Sequence, residues 1–315
     1  MSRHGALLGT LGVAAFGLTL PFTRIAVVAT SPLEVFAVRL LLASALAALV
    51  CAVTRTPLPR GGTLRDVLIV AAGIVIGFPL FTSLAMASEA AGRGGVVLGV
   101  LPLATSVAGA VLNRERPSRC FWLAALAGAL LVVLFALVTG PAARAGPSAA
   151  DGWLLAAIGS AAVGYALGGR LAGRMPAWRV ISLALALSLP AALALPWLVG
   201  SGPSRALRLL AGTEAGPAVA LSLLYLGLVS QYGGFLLWYR AIAIDGVART
   251  AQLQLAQPFL TLAGAALLLG ERITPVAVAF ASAIALTVFL SRRAAVRVAA
   301  SNEAATRPVS PSART

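Results

Sequence analysis

The chain has 315 residues, of which 60% are hydrophobic and only 10% charged, and its mean hydropathy is +0.96. Soluble domains carry about a quarter charged residues, so a pair of globular domains is excluded and an all-α polytopic membrane protein is predicted. The net charge of +15 comes from arginine without any lysine, and it clusters in short connections, where it reads as a topology signal and not as a nucleic-acid surface.

Ten apolar runs are predicted to cross the membrane, at residues 5–28, 33–53, 67–87, 94–112, 120–138, 152–171, 178–199, 217–241, 247–269 and 275–291. Each is about long enough to span a hydrocarbon core of about 30 Å. The first follows Arg3 and His4 as a signal peptide would, but it carries Pro21 and Arg24 and lacks a small-x-small cleavage site, so it is read as a retained span. Alternate connections divide the arginines unequally. One side holds Arg3, Arg55, Arg60, Arg65, Arg114, Arg116, Arg119, Arg170, Arg174, Arg179, Arg249, Arg292, Arg293 and Arg297. The other holds Arg24, Arg93, Arg144, Arg205, Arg208 and Arg272. Both termini are therefore expected in the cytoplasm, with the protein in the plasma or inner membrane.

The stretch 139–151, rich in Gly, Pro, Ala and Ser, parts the spans into two sets of five. Residues 1–138 and 152–291 then form two repeats of opposite orientation, and 292–315 a disordered cytoplasmic tail. Three landmarks recur at one spacing: Arg93 and Arg249, Pro102 and Pro258, Glu115 and Glu271 are each 156 residues apart. Small residues four apart (Gly73 and Gly77, Gly95 and Gly99, Gly164 and Gly168) would let helix backbones approach closely. Cys51 and Cys120 are no disulfide framework and read as small apolar fillers.

Catalytic chemistry has little to work with. The one histidine, His4, lies near the terminus, no zinc motif occurs, and the acidic residues fall at or near span ends. No enzyme, metal or cofactor is expected. At membrane depth the sequence places Gln252, Gln254 and Gln257, then Gln231 and Tyr232, Tyr165, Phe16 and Phe22. The glutamines either line a cavity or tie helices together; Trp238 and Tyr239 read as an interfacial belt. Pro258 and Pro102 cannot donate to the carbonyls of Gln254 and Leu98, which frees them for a cavity or leaves a simple kink. Arg39, roughly 10 Å into its span, would snorkel or bind an anionic group. Glu115 and Glu271 are expected to be structural or gating, capping loop amides or pairing with Arg116 and Arg272. No acidic residue at mid-depth marks proton coupling, so uniport, exchange and antiport stay open.

Three stretches, LPLATSVAGAVLNRERP, LLWYRAIAIDGVA and AQPFLTLAGAALLLGERIT, together with PLEVFAVRLLLA around Arg39, resemble the EamA family of the drug/metabolite transporter superfamily. The resemblance runs to about Ser291. It implies ten helices around a central cavity and export or exchange of small metabolites, such as amino acids or amphipathic compounds, by alternating access. The expected partners are a small-molecule substrate and the lipid bilayer, with no nucleic acid and a homodimer as an option. A non-transporting receptor or assembly protein, or a channel, is the alternative; the chain carries no soluble domain and no ring of charges for either.

Overall fold

The computed structural model describes residues 2–112, 119–139, 148–200, 202–245, 250–287 and 289–290, and the regular elements among them are all helical. Seven continuous helical runs are long and apolar enough to cross a membrane: Arg3–Ala29, Pro32–Val53, Gly61–Met86, Ala91–Leu112, Ala149–Ala172, Ala177–Leu198 and Pro217–Ile244. Three shorter apolar helices, Trp122–Phe135, Leu253–Leu269 and Pro275–Thr287, fall on the other predicted spans. The tail, Glu115 and Arg249 lie outside the described residues.

Most of these runs are interrupted. The first comprises α1 (Arg3–Gly17) and α2 (Thr19–Ala29); α3 (Pro32–Val53) is continuous. The third passes from α4 (Gly61–Val70) through a π-helical stretch, Ala71–Gly77, into α5 (Phe78–Met86). The fourth breaks between α6 (Ala91–Leu98) and α7 (Leu101–Leu112), and α8 (Arg119–Thr139) follows. In the second half come α9 (Ala149–Ala172), α10 (Ala177–Leu187), α11 (Leu189–Leu198), α12 (Gly202–Leu210) and α13 (Pro217–Leu224). A second π-helical stretch, Tyr225–Gly233, leads into α14 (Gly234–Asp245). Then a 3-10 segment, Ala251–Ala256, enters α15 (Gln257–Leu269), and α16 (Pro275–Thr287) ends the bundle.

Two of the interruptions repeat. Both π-helical stretches end, at Gly77 and Gly233, and the next helices begin, at Phe78 and Gly234, 156 residues apart. The helices α7 and α15 likewise begin at Leu101 and Gln257 with a proline in second place, Pro102 and Pro258. Proline suits the first helical turn, where its missing N–H would have no partner anyway.

Helix starts follow from local chemistry. The Ser31 hydroxyl accepts from the Glu34 amide at 3.2 Å and the Glu34 carboxylate accepts from the Ser31 amide at 3.2 Å, a capping box ahead of α3. Ser148 and Asp151 make the same exchange at 3.3 and 3.0 Å. They start α9 at Ala149, inside the stretch read as linker. The connection that carries Arg205 and Arg208 forms the helix α12, which buries Ala206 and Leu209 against Val35, Val38 and Val219.

Glycines set the tightest packing. A Cβ on Gly73 would stand 2.5 Å from the Ser160 carbonyl oxygen, and one on Gly164 would stand 2.5 Å from the Ile74 side chain. The π-helical stretch and α9 therefore touch backbone to backbone, as the four-residue glycine spacing predicts. Gly168 makes room for the Tyr239 ring. Trp238 and Tyr239 are 2% and 0% exposed, so they are core residues and not an interfacial belt; the helix turns Trp238 onto Phe16 of α1 and Tyr239 onto Gly168 of α9, where the sequence shows only depth along the span. The exposed neighbour Arg240 is free to snorkel.

Gly73→Leu should lower the melting temperature of the purified protein by several degrees, since overpacking a tight contact costs about 1–3 kcal/mol. Gly159→Leu, where a Cβ meets nothing within 4 Å, should not. Equal melting temperatures for the two variants would contradict this packing.

Candidate substrate site

Where α6 and α15 cross, the two proline-led breaks enclose a cavity of about 10 Å³, room for about one water molecule. Phe16, Thr19, Pro102, Gln254, Gln257 and Pro258 line it. The walls are close because glycine is in them. A Cβ on Gly95 would stand 2.5 Å from Thr261, and one on Gly99 would stand 2.9 Å from Pro258. The space holds about one water and no metabolite.

Of the residues singled out from sequence, Phe16, Gln254, Gln257 and both prolines meet here. Among the described residues the side-chain amides of Gln254 and Gln257 bond no neighbouring helix. The side chain of Gln252 lies outside the described residues. Tyr165 packs its ring against Phe235, with centroids 5.6 Å apart, bridging the two main core clusters. Tyr232 stands apart, its hydroxyl hydrogen-bonded to Ser182 at 2.9 Å. Thr19, Gly95, Gly99 and Thr261 complete the wall. The glycine pair was visible in the sequence as a packing signal; nothing in the sequence marks Thr19.

The carbonyl that Pro258 leaves to Gln254 is not free for substrate. The Gln257 N–H donates to it in a 3-10 turn, so the backbone satisfies itself. Two other prolines free carbonyls that side chains then take. Pro21 has no N–H for Gly17, and the Thr261 hydroxyl donates to that oxygen at 2.7 Å. Pro79 has none for Val75, and the Gln231 amide donates there at 3.1 Å. Gln231 is therefore a tie between the halves. Its own oxygen accepts from Arg39 Nε.

Arg39 is 2% exposed, so it does not snorkel. Its Nη1 has no hydrogen-bond partner among the described residues. Glu34 is not its counter-ion, since that carboxylate meets Arg205 Nε at 2.9 Å.

At one end of the bundle the Glu271 carboxylate accepts from the Ala91 N–H at 2.9 Å and the Gly92 N–H at 2.8 Å. It caps α6 across the gap from the end of α15, where a negative group is favoured by the helix dipole. Next to it, buried Arg93 meets Glu89 and, at 2.8 Å, Asp151 on α9. Capping loop amides was one of the two roles expected of Glu271, and Arg272 is exposed.

Comparison with known proteins agrees with this architecture. The sequence model of the EamA-like transporter family matches the chain twice, over residues 3–138 and 148–293. A protein of Bacillus subtilis (strain 168), printed as "Uncharacterized transporter YdeK", is 38% identical over 292 residues, covering 93% of this chain and 98% of that protein. One protein of known crystal structure superposes with a TM-score of 0.61 over 95% of this chain and 99% of its own, at 17% identity, a likeness of fold alone. With both halves matched, the chain is a multi-pass membrane protein that belongs to the EamA-like transporter family.

Proposed function

We propose that the protein exports or exchanges small metabolites, amino acids or amphipathic compounds, by alternating access between two inverted five-span repeats. The observation that carries this reading is the cavity at the crossing of α6 and α15. Two helix breaks 156 residues apart meet there around two amides that bond no neighbouring helix among the described residues. A site shared by two equivalent halves has two equivalent ways to open, one towards each side of the membrane. The seal formed by Glu271 on the Ala91 and Gly92 amides closes one of them. Residues 1–138 and 152–291 are the two halves in this reading.

Gln254 and Gln257 offer donors and acceptors without charge, which suits a neutral or zwitterionic polar group. Phe16 gives the apolar part of a substrate a wall, and Tyr165 and Tyr232 lie farther out in the packing. Pro102 and Pro258 fix where each broken helix restarts.

Both termini are proposed to face the cytoplasm of a cell with this protein in its inner membrane. A C-terminal reporter active only outside the cytoplasm should therefore stay silent; strong activity would reverse the topology.

The transport reading is tested in proteoliposomes by counterflow of radiolabelled solutes, with amino acids and amphipathic amines and acids as the panel. At least one solute should accumulate against an unlabelled internal pool, and Gln257→Leu should lower its rate by roughly tenfold or more, the scale of one lost hydrogen bond to a polar ligand. The melting temperature should be kept, because Leu is favoured in lipid. Unchanged affinity in a folded Gln257→Leu protein would remove Gln257 from the site, and no movement of any solute would end the carrier reading.

A further inference from the structure

We infer that Arg39 is the anchor for a single carboxylate on the transported solute, held ready by Gln231 at the junction of the two halves. This rests on the carrier reading above and names its substrate class.

Four observations converge. First, the guanidinium is 2% exposed on a helix that crosses the membrane, and among the described residues no carboxylate pairs with it. A charge in that position without a counter-ion is costly, and such groups mark ligand pathways in membrane proteins. Second, the group is oriented but not consumed. Nε donates to the Gln231 oxygen, while buried Nη1 has no partner among the described residues. The Nη end of the fork is left with the geometry that planar oxyanions take.

Third, the mounting sits between repeat-equivalent elements. Gln231 and Val75 are 156 residues apart, lie in the two π-helical stretches, and bond each other through Gln231 Nε2 and the Val75 carbonyl. Stretches of π-helix are uncommon and frequently occur at functional positions. One turn earlier on the same face, a Cβ on Gly227 would stand 3.2 Å from the Arg39 carbonyl oxygen, so α3 can approach only because a glycine is there. Fourth, the chain links this mounting to the cavity, although neither Arg39 nor Gln231 lines it. The cavity's wall residue Thr19 bonds the Ser230 hydroxyl at 2.7 Å, and Ser230 precedes Gln231 in the chain.

Charge balance narrows the class. One guanidinium with neutral neighbours compensates one negative charge. A phosphate monoester carries about −1.5 to −2 at neutral pH and would leave an excess buried. A monocarboxylate is matched; the zwitterion of an amino acid would leave one positive charge over, and its ammonium would have only the neutral glutamine oxygens of the cavity as acceptors.

The test uses matched probes on the purified, full-length protein in detergent: L-leucine and L-leucinamide, L-phenylalanine and L-phenylalaninamide, benzoate and benzamide, with phenyl phosphate as the dianion. Binding is read by thermal shift titration. At least one carboxylate should bind about tenfold or more tightly than its amide, the scale of a lost charge-assisted hydrogen bond, and phenyl phosphate should bind no better than benzoate. Arg39→Gln should erase the preference and Arg39→Lys should keep a weaker one. A merely structural arginine would lower the melting temperature of the empty protein in Arg39→Gln and leave the acid-to-amide ratio unchanged. If Arg39→Gln does not fold, the wild-type ratios and the Lys variant decide. Amides equal to acids in the wild type, no carboxylate binding at all, or a preserved preference in Arg39→Gln overturns the anchor. If solutes still cross proteoliposomes in that event, the carrier reading stands. Carboxylate binding with no transport of any solute overturns the carrier reading and keeps the anchor.

Discussion

Three proline-freed carbonyls organise the centre of this bundle. In lipid no water is at hand for an unpaired backbone oxygen, so each must find a partner inside the protein. Pro21 turns the Gly17 carbonyl over to Thr261, which joins the first span to α15. Pro79 turns Val75 over to Gln231, which joins the π-helical stretches of the two halves. Pro258 turns Gln254 over to the next turn of its own chain, tightening it into a 3-10 segment. The breaks that line the cavity and the ties that close it have one cause. Once α15 is held to the first span by Thr261, Gly95 and Gly99 let α6 come within contact of it, and the space between shrinks to about one water.

The charges obey the same constraint in another way. Asp66 meets Arg170 at 2.9 Å at one end of α9, and Asp151 meets Arg93 at 2.8 Å at the other. Arg205 lies between Glu34 and Glu214, at 2.9 and 3.0 Å, on the helix α12 that covers its end of the bundle. Each of these cations has an acid, and each sits where a helix begins or ends. Arg39 does not: its hydrogen-bond acceptor is a neutral amide. Arg24, which donates to the Met86 carbonyl, also has no acid among the described residues, but Arg39 is the more deeply buried of the two, and in the reading above a ligand carboxylate completes it.

Much of this was legible in the chain. Apolar runs of helix length appear where the helices are, because hydropathy reports the lipid solvent directly. Glycines four apart at 73, 77, 164 and 168 announced close helix contact, and the contact exists. The 156-residue step of Pro102 and Pro258 recurs in the helix restarts. Other features were hidden because they depend on partners distant in sequence. That Pro258 frees a carbonyl is a local inference; that Gln257 takes it, while Gln231 answers Pro79 instead, is a matter of packing. Trp238 and Tyr239 have the depth of belt residues, and only the rotation of α14 buries them. The π-helical stretches leave no signature in composition.

Alternating access is tested most directly by the distance across the Glu271 seal. Nitroxide labels at Ser88 and Ile273, both exposed and flanking that contact, would be introduced in a background with Cys51 and Cys120 replaced by alanine. Pulsed dipolar spectroscopy in proteoliposomes then reads the distance distribution. Two populations are predicted, the shorter one matching this closed end. Glu271→Gln should shift weight to the longer one, because it removes the charge that holds the α6 amides. A single narrow distance, unmoved by Glu271→Gln and by every solute that the protein transports, would contradict the carrier mechanism.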